Sequence, residues 1–150
     1  MRVVVQKVKN ASVKVNNQLI GEIKNGLVVL VGYESLDTSE DISWMIQKII
    51  KMRIFEDSEN KLNFSVLDVD GEILLISQFT LHASVKKGNR PSYIKAADSK
   101  KAKQMYDKTI IEFETVLKRK ISTGKFGANM EVSLVNNGPV TITIDSKKKE

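Results

Sequence analysis

The chain has 150 residues, 41% hydrophobic and 28% charged, a globular balance that excludes a disordered chain. Its 24 Lys and Arg against 18 Asp and Glu leave a charge of +6, which favours polyanionic partners, although 20 of the 24 are lysines, common on any solvated surface. No cysteine and a single histidine, His82, exclude disulfides, thiolate chemistry and the usual His-rich zinc sites.

This length fits one domain over residues 1–150, with a core large enough to stand without staples. No apolar run reaches the roughly 18 residues of a membrane span, and the start is strand-like rather than a signal peptide. A soluble, cytoplasmic protein is therefore expected.

Apolar and polar residues alternate over Met1–Val8 and again over Ala11–Val15, the period of half-buried strands. Asn16-Asn17 reads as a turn, Gln18–Lys24 as a further strand, and Asn25-Gly26 as a hairpin signal. The continuous run Leu27–Val31 predicts a central strand buried on both faces. Thr38 through Asp41 supplies a cap and early carboxylates, and Ile42, Met45, Ile46, Ile49 and Ile50 form a helical stripe to about Met52, with Trp44 off it. Phe64–Val69 and Glu72–Gln78 flank Asp70-Gly71, a second hairpin signal.

Residues 82–98 lack periodicity and predict a long loop, a feature that compact domains often keep for function. A second helix is expected from Asp98 or Ser99 to about Lys120, burying Ala102, Met105, Tyr106, Ile110, Phe113 and Leu117. Two strands, Met130–Val135 and Val140–Ile144, joined by Asn136-Asn137-Gly138-Pro139, close the chain ahead of a frayed tail, 147–150. The order predicts an α+β fold: a mostly antiparallel or mixed sheet, curled or barrel-like, with two main helices packed on it.

Chemistry points first to Ser77-Gln78-Phe79-Thr80-Leu81, where an apolar strand gives way to hydroxyls and an amide. Main-chain N–H groups that lose their ladder partners there can stabilise an oxyanion, and the same residues suit a plain strand end. His82 is the one candidate general base, but no carboxylate stands ready to orient it, and a loop histidine fits better. Lys86 to Lys103 carries seven basic residues against one acid, Asp98, and suits phosphate contacts as well as it suits solvent. Pro139 interrupts a strand pattern that a proline cannot serve as a donor. A trans Gly138-Pro139 turn is the default and a cis bond would make a deliberate tight turn; the residues alone leave both open. Phe126 and Met130 flank small residues and could wall a pocket or pack in the core.

Taken together, Ser77–Leu81, Lys87-Gly88-Asn89-Arg90-Pro91, Phe126-Gly127-Ala128 and Asn136–Thr141 resemble the signature segments of the D-aminoacyl-tRNA deacylase family, in order and spacing, over nearly the whole chain. The resemblance implies a homodimer that hydrolyses the ester of D-aminoacyl-tRNA, and of glycyl-tRNA mischarged on tRNA-Ala, without metal or cofactor, and with no stable protein partner beyond its own copy. It implies a catalytic floor at Ser77, Gln78, Phe79 and Thr80, with Phe79 under the adenine. Gly138 and Pro139, joined by a cis bond, would enter the other subunit's pocket and exclude L side chains by rigid backbone oxygens. Phe126, Met130 and Ala102 would meet substrate; Lys7 (where the family usually has arginine), Asn136 and Thr141 would support the Gly-Pro element; Lys86, Lys87 and Arg90 would meet tRNA. Thr80 as a nucleophile ranks below positioning of water, since no base is at hand to activate it. The rival reading is a non-catalytic nucleic-acid-binding module using the Lys86–Lys103 surface.

Overall fold

In the computed structural model, which describes residues 1–149, the opening alternation becomes one continuous strand, β1 (Arg2–Val15). No break separates the two strands expected there; Lys9 and Asn10 sit instead at irregularities in its pairing. Asn16 and Asn17 both take positive φ, 50° and 62°, and turn the chain tightly into β2 (Gln18–Ile23).

Asn25-Gly26 does not make a hairpin. β2 and β3 (Gly26–Gly32) lie end to end along the same edge of β1, β2 on residues 11–15 and β3 on residues 2–8, both antiparallel to it. A strand as long as β1 can hold both, so the chain kinks rather than reverses. Gly26 answers a packing need: a Cβ there would stand 1.9 Å from the Glu72 carbonyl oxygen, so only glycine admits that backbone.

Helix α1 (Ser39–Lys51) begins where expected, and the Asp41 carboxylate accepts from the Thr38 backbone N–H at 2.9 Å. Its stripe of Ile42, Met45, Ile46, Ile49 and Ile50 is fully buried. The stretch Phe64–Val69 is not the strand its composition suggests. A two-stranded ribbon, β4 (Phe55–Glu56) and β5 (Leu62–Phe64), comes first, and then Ser65 turns the chain, held by the Asp68 carboxylate at 2.7 Å from its N–H. Consequently β6 (Glu72–Ser77) does not fold back on the residues before Asp70-Gly71; it pairs parallel to β3, with Val31 opposite Ser77.

A 3-10 turn, Phe79–His82, follows β6, and the irregular segment behind it is pinned by a Ser84–Ser92 bridge. Helix α2 (Ser99–Leu117) is capped by Asp98, which accepts from Lys101 N at 3.0 Å, and ends three residues short of Lys120 because Lys118 turns left-handed, φ 54°. β7 (Ser122–Thr123) pairs parallel to β6, and the Ser122 hydroxyl donates to the Glu22 carbonyl of β2, which nearly closes the curl into a barrel.

The last strand, β8 (Glu131–Asp145), replaces the expected hairpin: residues on both sides of Gly138-Pro139 pair antiparallel with the same strand, β1. Of the tail expected to fray, Lys147 donates to Asp41 Oδ2 at 2.6 Å, and Glu150 lies outside the described residues. One core fills the space between sheet and helices, from Val3, Val5, Val29 and Val31 to Met45 and Phe113. A second fills the curl around Val13, Val28, Leu74 and Ile76. The fold is α+β with a mixed sheet, as expected. Among the described residues no helix is long and apolar enough to cross a membrane.

Candidate active site

The parallel pair β3–β6 places several separate segments at one end of the sheet. Ser77 ends β6 half-buried, and the Gln78 N–H still donates to Val31 O at 2.7 Å. Beyond it the ladder stops. Within the 3-10 turn the first bond runs from Leu81 N–H to Gln78 O, 3.3 Å, so the Phe79 and Thr80 amides come ahead of any intra-turn partner. Gly32 permits this approach, because a Cβ on it would stand 2.7 Å from the Gln78 carbonyl.

Inside the segment, the Gln78 side-chain amide donates to Thr80 Oγ1 at 2.5 Å. Phe79 is exposed, and Tyr93 from the irregular loop meets its ring edge-on, centroids 5.0 Å apart. Arg2 holds the turn from below: its Nη1 donates to Leu81 O at 3.2 Å while its Nε pairs with Asp145 at 2.8 Å. Neither Tyr93 nor Arg2 stands out in the sequence as a site residue; a lone loop aromatic and a strand-end arginine carry no signal of their own.

His82 is not the loop histidine expected. It is buried beside Gly32, and neither ring nitrogen has a hydrogen-bond partner among the described residues, so it makes no bond to Ser77 or Thr80.

Phe126 lies past β7 at this same end of the sheet, its ring 5.7 Å from that of Tyr106, whose hydroxyl donates to Leu75 O at 2.8 Å. Burial pushes the Tyr106 phenol well above its ordinary range, which keeps it a neutral donor. Met130 covers Gly124 and Ile76, one residue before Ser77. Ala102, in the first turns of α2, is buried in the core between sheet and helices.

Gly138 and Pro139 stand elsewhere. The β1–β8 register passes from Gln6 opposite Thr141 to Val8 opposite Asn136, so Lys7 alone faces the four residues 137–140. The surplus bulges outward: Gly138 (φ 125°) and Pro139 are exposed, and the bond between them is cis. Three strand spacings, about 14 Å, separate β8 from β6, so the chain does not bring Gly138-Pro139 to its own Ser77–Thr80. The Thr141 hydroxyl donates to Gln6 Oε1 at the mouth of the bulge, and Asn136 is exposed at its other end. Lys7 is fully buried, its ammonium on Glu56 Oε2 at 2.6 Å and 5.5 Å from the Phe55 ring centroid. That ammonium holds the Glu56 carboxyl below the usual carboxylate range. Lys86, Lys87 and Arg90 are exposed on the loop that the Ser84–Ser92 bridge closes.

These features define a class: a small α+β domain with a curled mixed sheet, carrying its candidate chemistry on main-chain groups at a strand end. Comparison with known proteins is more particular. The family described as D-Tyr-tRNA(Tyr) deacylase matches residues 4–145. The chain is 57% identical to a D-aminoacyl-tRNA deacylase of Flavobacterium johnsoniae and 49% identical to one of Bacteroides fragilis, each over the full length of both chains. Among solved structures, "c-Myc DNA Unwinding Element Binding Protein" is 39% identical with a TM-score of 0.92, covering 97% of this chain and 98% of that one. A probable eukaryotic D-amino acid tRNA deacylase, 17% identical, shares the fold with a TM-score of 0.85 over 95% of this chain and 97% of its own. The chain belongs to the D-Tyr-tRNA(Tyr) deacylase family.

Proposed function

We propose that this protein hydrolyses the ester between a D-amino acid and the 3′-terminal adenosine of tRNA, and likewise clears glycyl-tRNA mischarged on tRNA-Ala. Its membership of the deacylase family supports the hydrolase activity. The observation that carries the reading of the site is the strand end at Ser77–Thr80, where main-chain amides without ladder partners lie beside an exposed aromatic, Phe79.

Phe79, steadied edge-on by Tyr93, offers a face for the adenine. Water attacks the ester carbonyl, the carbon–oxygen bond to the ribose breaks, and the ribose oxygen takes up a proton. The Phe79 and Thr80 amides stabilise the charge that develops on the carbonyl oxygen, and the substrate's neighbouring hydroxyl assists the leaving group. Phe126, Met130 and Ala102 shape the pocket wall. Lys86, Lys87 and Arg90 meet tRNA phosphates, and the setting is the cytoplasm.

Rejection of L-esters requires a second copy. Gly138-Pro139 protrudes from β8, far from its own Ser77–Thr80 and free to reach the pocket of another subunit. Backbone oxygens held there leave no room for an L side chain, while a D side chain points away and glycine has none to exclude. Lys7, Asn136 and Thr141 border the bulge and support it. The active form is therefore a homodimer.

The experiment compares hydrolysis of D-Tyr-tRNA and L-Tyr-tRNA by the purified protein, with its mass in solution measured alongside. Turnover of the D-ester alone, by a dimer, is expected. Equal rates overturn the chiral account, and a monomer with full selectivity overturns the cross-subunit one. No turnover of either ester, with tRNA still bound, establishes the second reading, a nucleic-acid-binding module, which the structural relative named for binding a DNA unwinding element supports.

A further inference from the structure

A groove of about 1160 Å³ runs between α1 and the paired strands β1 and β8, lined by Arg2, Trp44, Lys48, Lys51, Lys148 and Lys149. Its charge is one-sided. The lining holds a single carboxylate, Asp145, already engaged by Arg2 at 2.8 Å. Among the described residues, none of the four lysines pairs with an acid. Like charges are gathered here: the Lys48 and Lys149 ammoniums both lie over the Trp44 ring, 5.7 and 4.9 Å from its centre, in cation–π contact. Such a cluster costs the isolated protein repulsion, which a polyanion in the groove would relieve. The half-buried indole holds both ammoniums at the groove by cation–π attraction, where they can meet phosphates.

The groove also leads to the candidate site. Leu81 lines its end, directly after Ser77–Thr80, and Arg2 lies in the groove while donating to the Leu81 carbonyl. An RNA strand whose terminal ester occupies Ser77–Thr80 can thus continue along the groove without leaving the surface.

We propose that this groove holds the acceptor strand of the tRNA, with Lys48, Lys51, Lys148 and Lys149 on its phosphates and Trp44 holding two of those ammoniums in place. This goes beyond the Lys86–Lys103 surface and rests on the deacylase reading of Ser77–Thr80. Binding through four exposed ammoniums releases counterions, so affinity depends steeply on salt; at about 0.7 per phosphate for a single strand, the four contribute close to three units of the log–log slope.

The test replaces all four lysines by glutamine and measures three quantities at several salt concentrations. The first is the ratio of kcat/KM for D-Tyr-tRNA to that for D-Tyr-adenosine, an ester with no RNA beyond the terminal nucleoside. The others are the affinity for uncharged tRNA and its salt slope, with Lys14→Gln/Lys24→Gln/Lys61→Gln/Lys108→Gln, four exposed lysines off the groove, as the charge control. Expected are a ratio reduced about tenfold, weakened tRNA binding and a slope shallower by two to three units, none of which the control reproduces. An unchanged ratio and slope, or the same loss in the control, overturn the proposal. Should the wild-type protein cleave neither ester, the deacylase reading fails on its own, and the binding and slope measurements still decide the groove.

Discussion

Gln78 and Thr80 are joined by a hydrogen bond in which the amide is the donor: Gln78 Nε2 to Thr80 Oγ1, 2.5 Å. The threonine hydroxyl is held by a neutral group, and no imidazole or carboxylate among the described residues bonds to it. Thr80→Ala is expected to keep kcat/KM for D-Tyr-tRNA within about tenfold of the parent, the scale of one positioning bond. A fall of about 10⁶, as when a nucleophile is removed, would establish Thr80 as the attacking group.

Gly32 sets the distance between β3 and the turn that bears Phe79 and Thr80. A Cβ at Gly32 meets the Gln78 backbone oxygen at 2.7 Å, so Gly32→Ala must displace the turn. A stability loss of about 1–3 kcal/mol is expected, with a larger proportional loss of deacylation. Gly127→Ala is the contrast: nothing stands within 4 Å of its Cβ, and only its φ of 75° resists the change. A cost of about 1 kcal/mol and retained activity are expected there.

The Lys7 stem is wholly buried, whereas its partner Glu56 is 39% exposed. Lys7→Ala removes packing and the ion pair together and should cost about 3 kcal/mol, read from the urea midpoint at unchanged slope. Lys7→Met keeps the stem's volume, and Glu56 can turn to water, so most of that loss should be recovered. Equal losses in the two variants would show that the charge rather than the packing matters.

Burial pushes the Asp41 carboxyl up, but hydrogen bonds from Lys147, Ser146 and Thr38 outweigh it and hold the group well below the usual range. The unfolded chain, with an ordinary value near 3.9, then binds protons first. The stability from these bonds is therefore complete above about pH 5 and is lost as pH falls through the folded value. Lys147→Met should flatten the fall in urea midpoint between about pH 5 and 2. Conversely, the Lys147 ammonium is raised by Asp41, so its share persists below its ordinary value and disappears as pH rises through the shifted one. An acid limb identical in parent and variant would contradict this account.

Periodicity and motif order alone carried the α+β class, both helices, the strand buried on both faces and the family resemblance, because side-chain patterning is a local property that survives in the linear chain. Which strands are neighbours was decided only in three dimensions. Asn25-Gly26 and Asp70-Gly71 carry hairpin residues, yet the first sits in a kink between collinear strands and the second in a crossover to a parallel one. Local turn chemistry says where a chain can bend, while the partner edge available, here that of the long β1, says where it goes. The same holds for the site. A cysteine-free chain with one histidine already pointed away from side-chain nucleophiles, and the motifs named Ser77–Thr80 and Gly138-Pro139. That His82 is buried without a partner, that Tyr93 meets Phe79, and that Gly138-Pro139 projects from a strand remote from its own Ser77 follow from packing between distant segments, which no local pattern encodes.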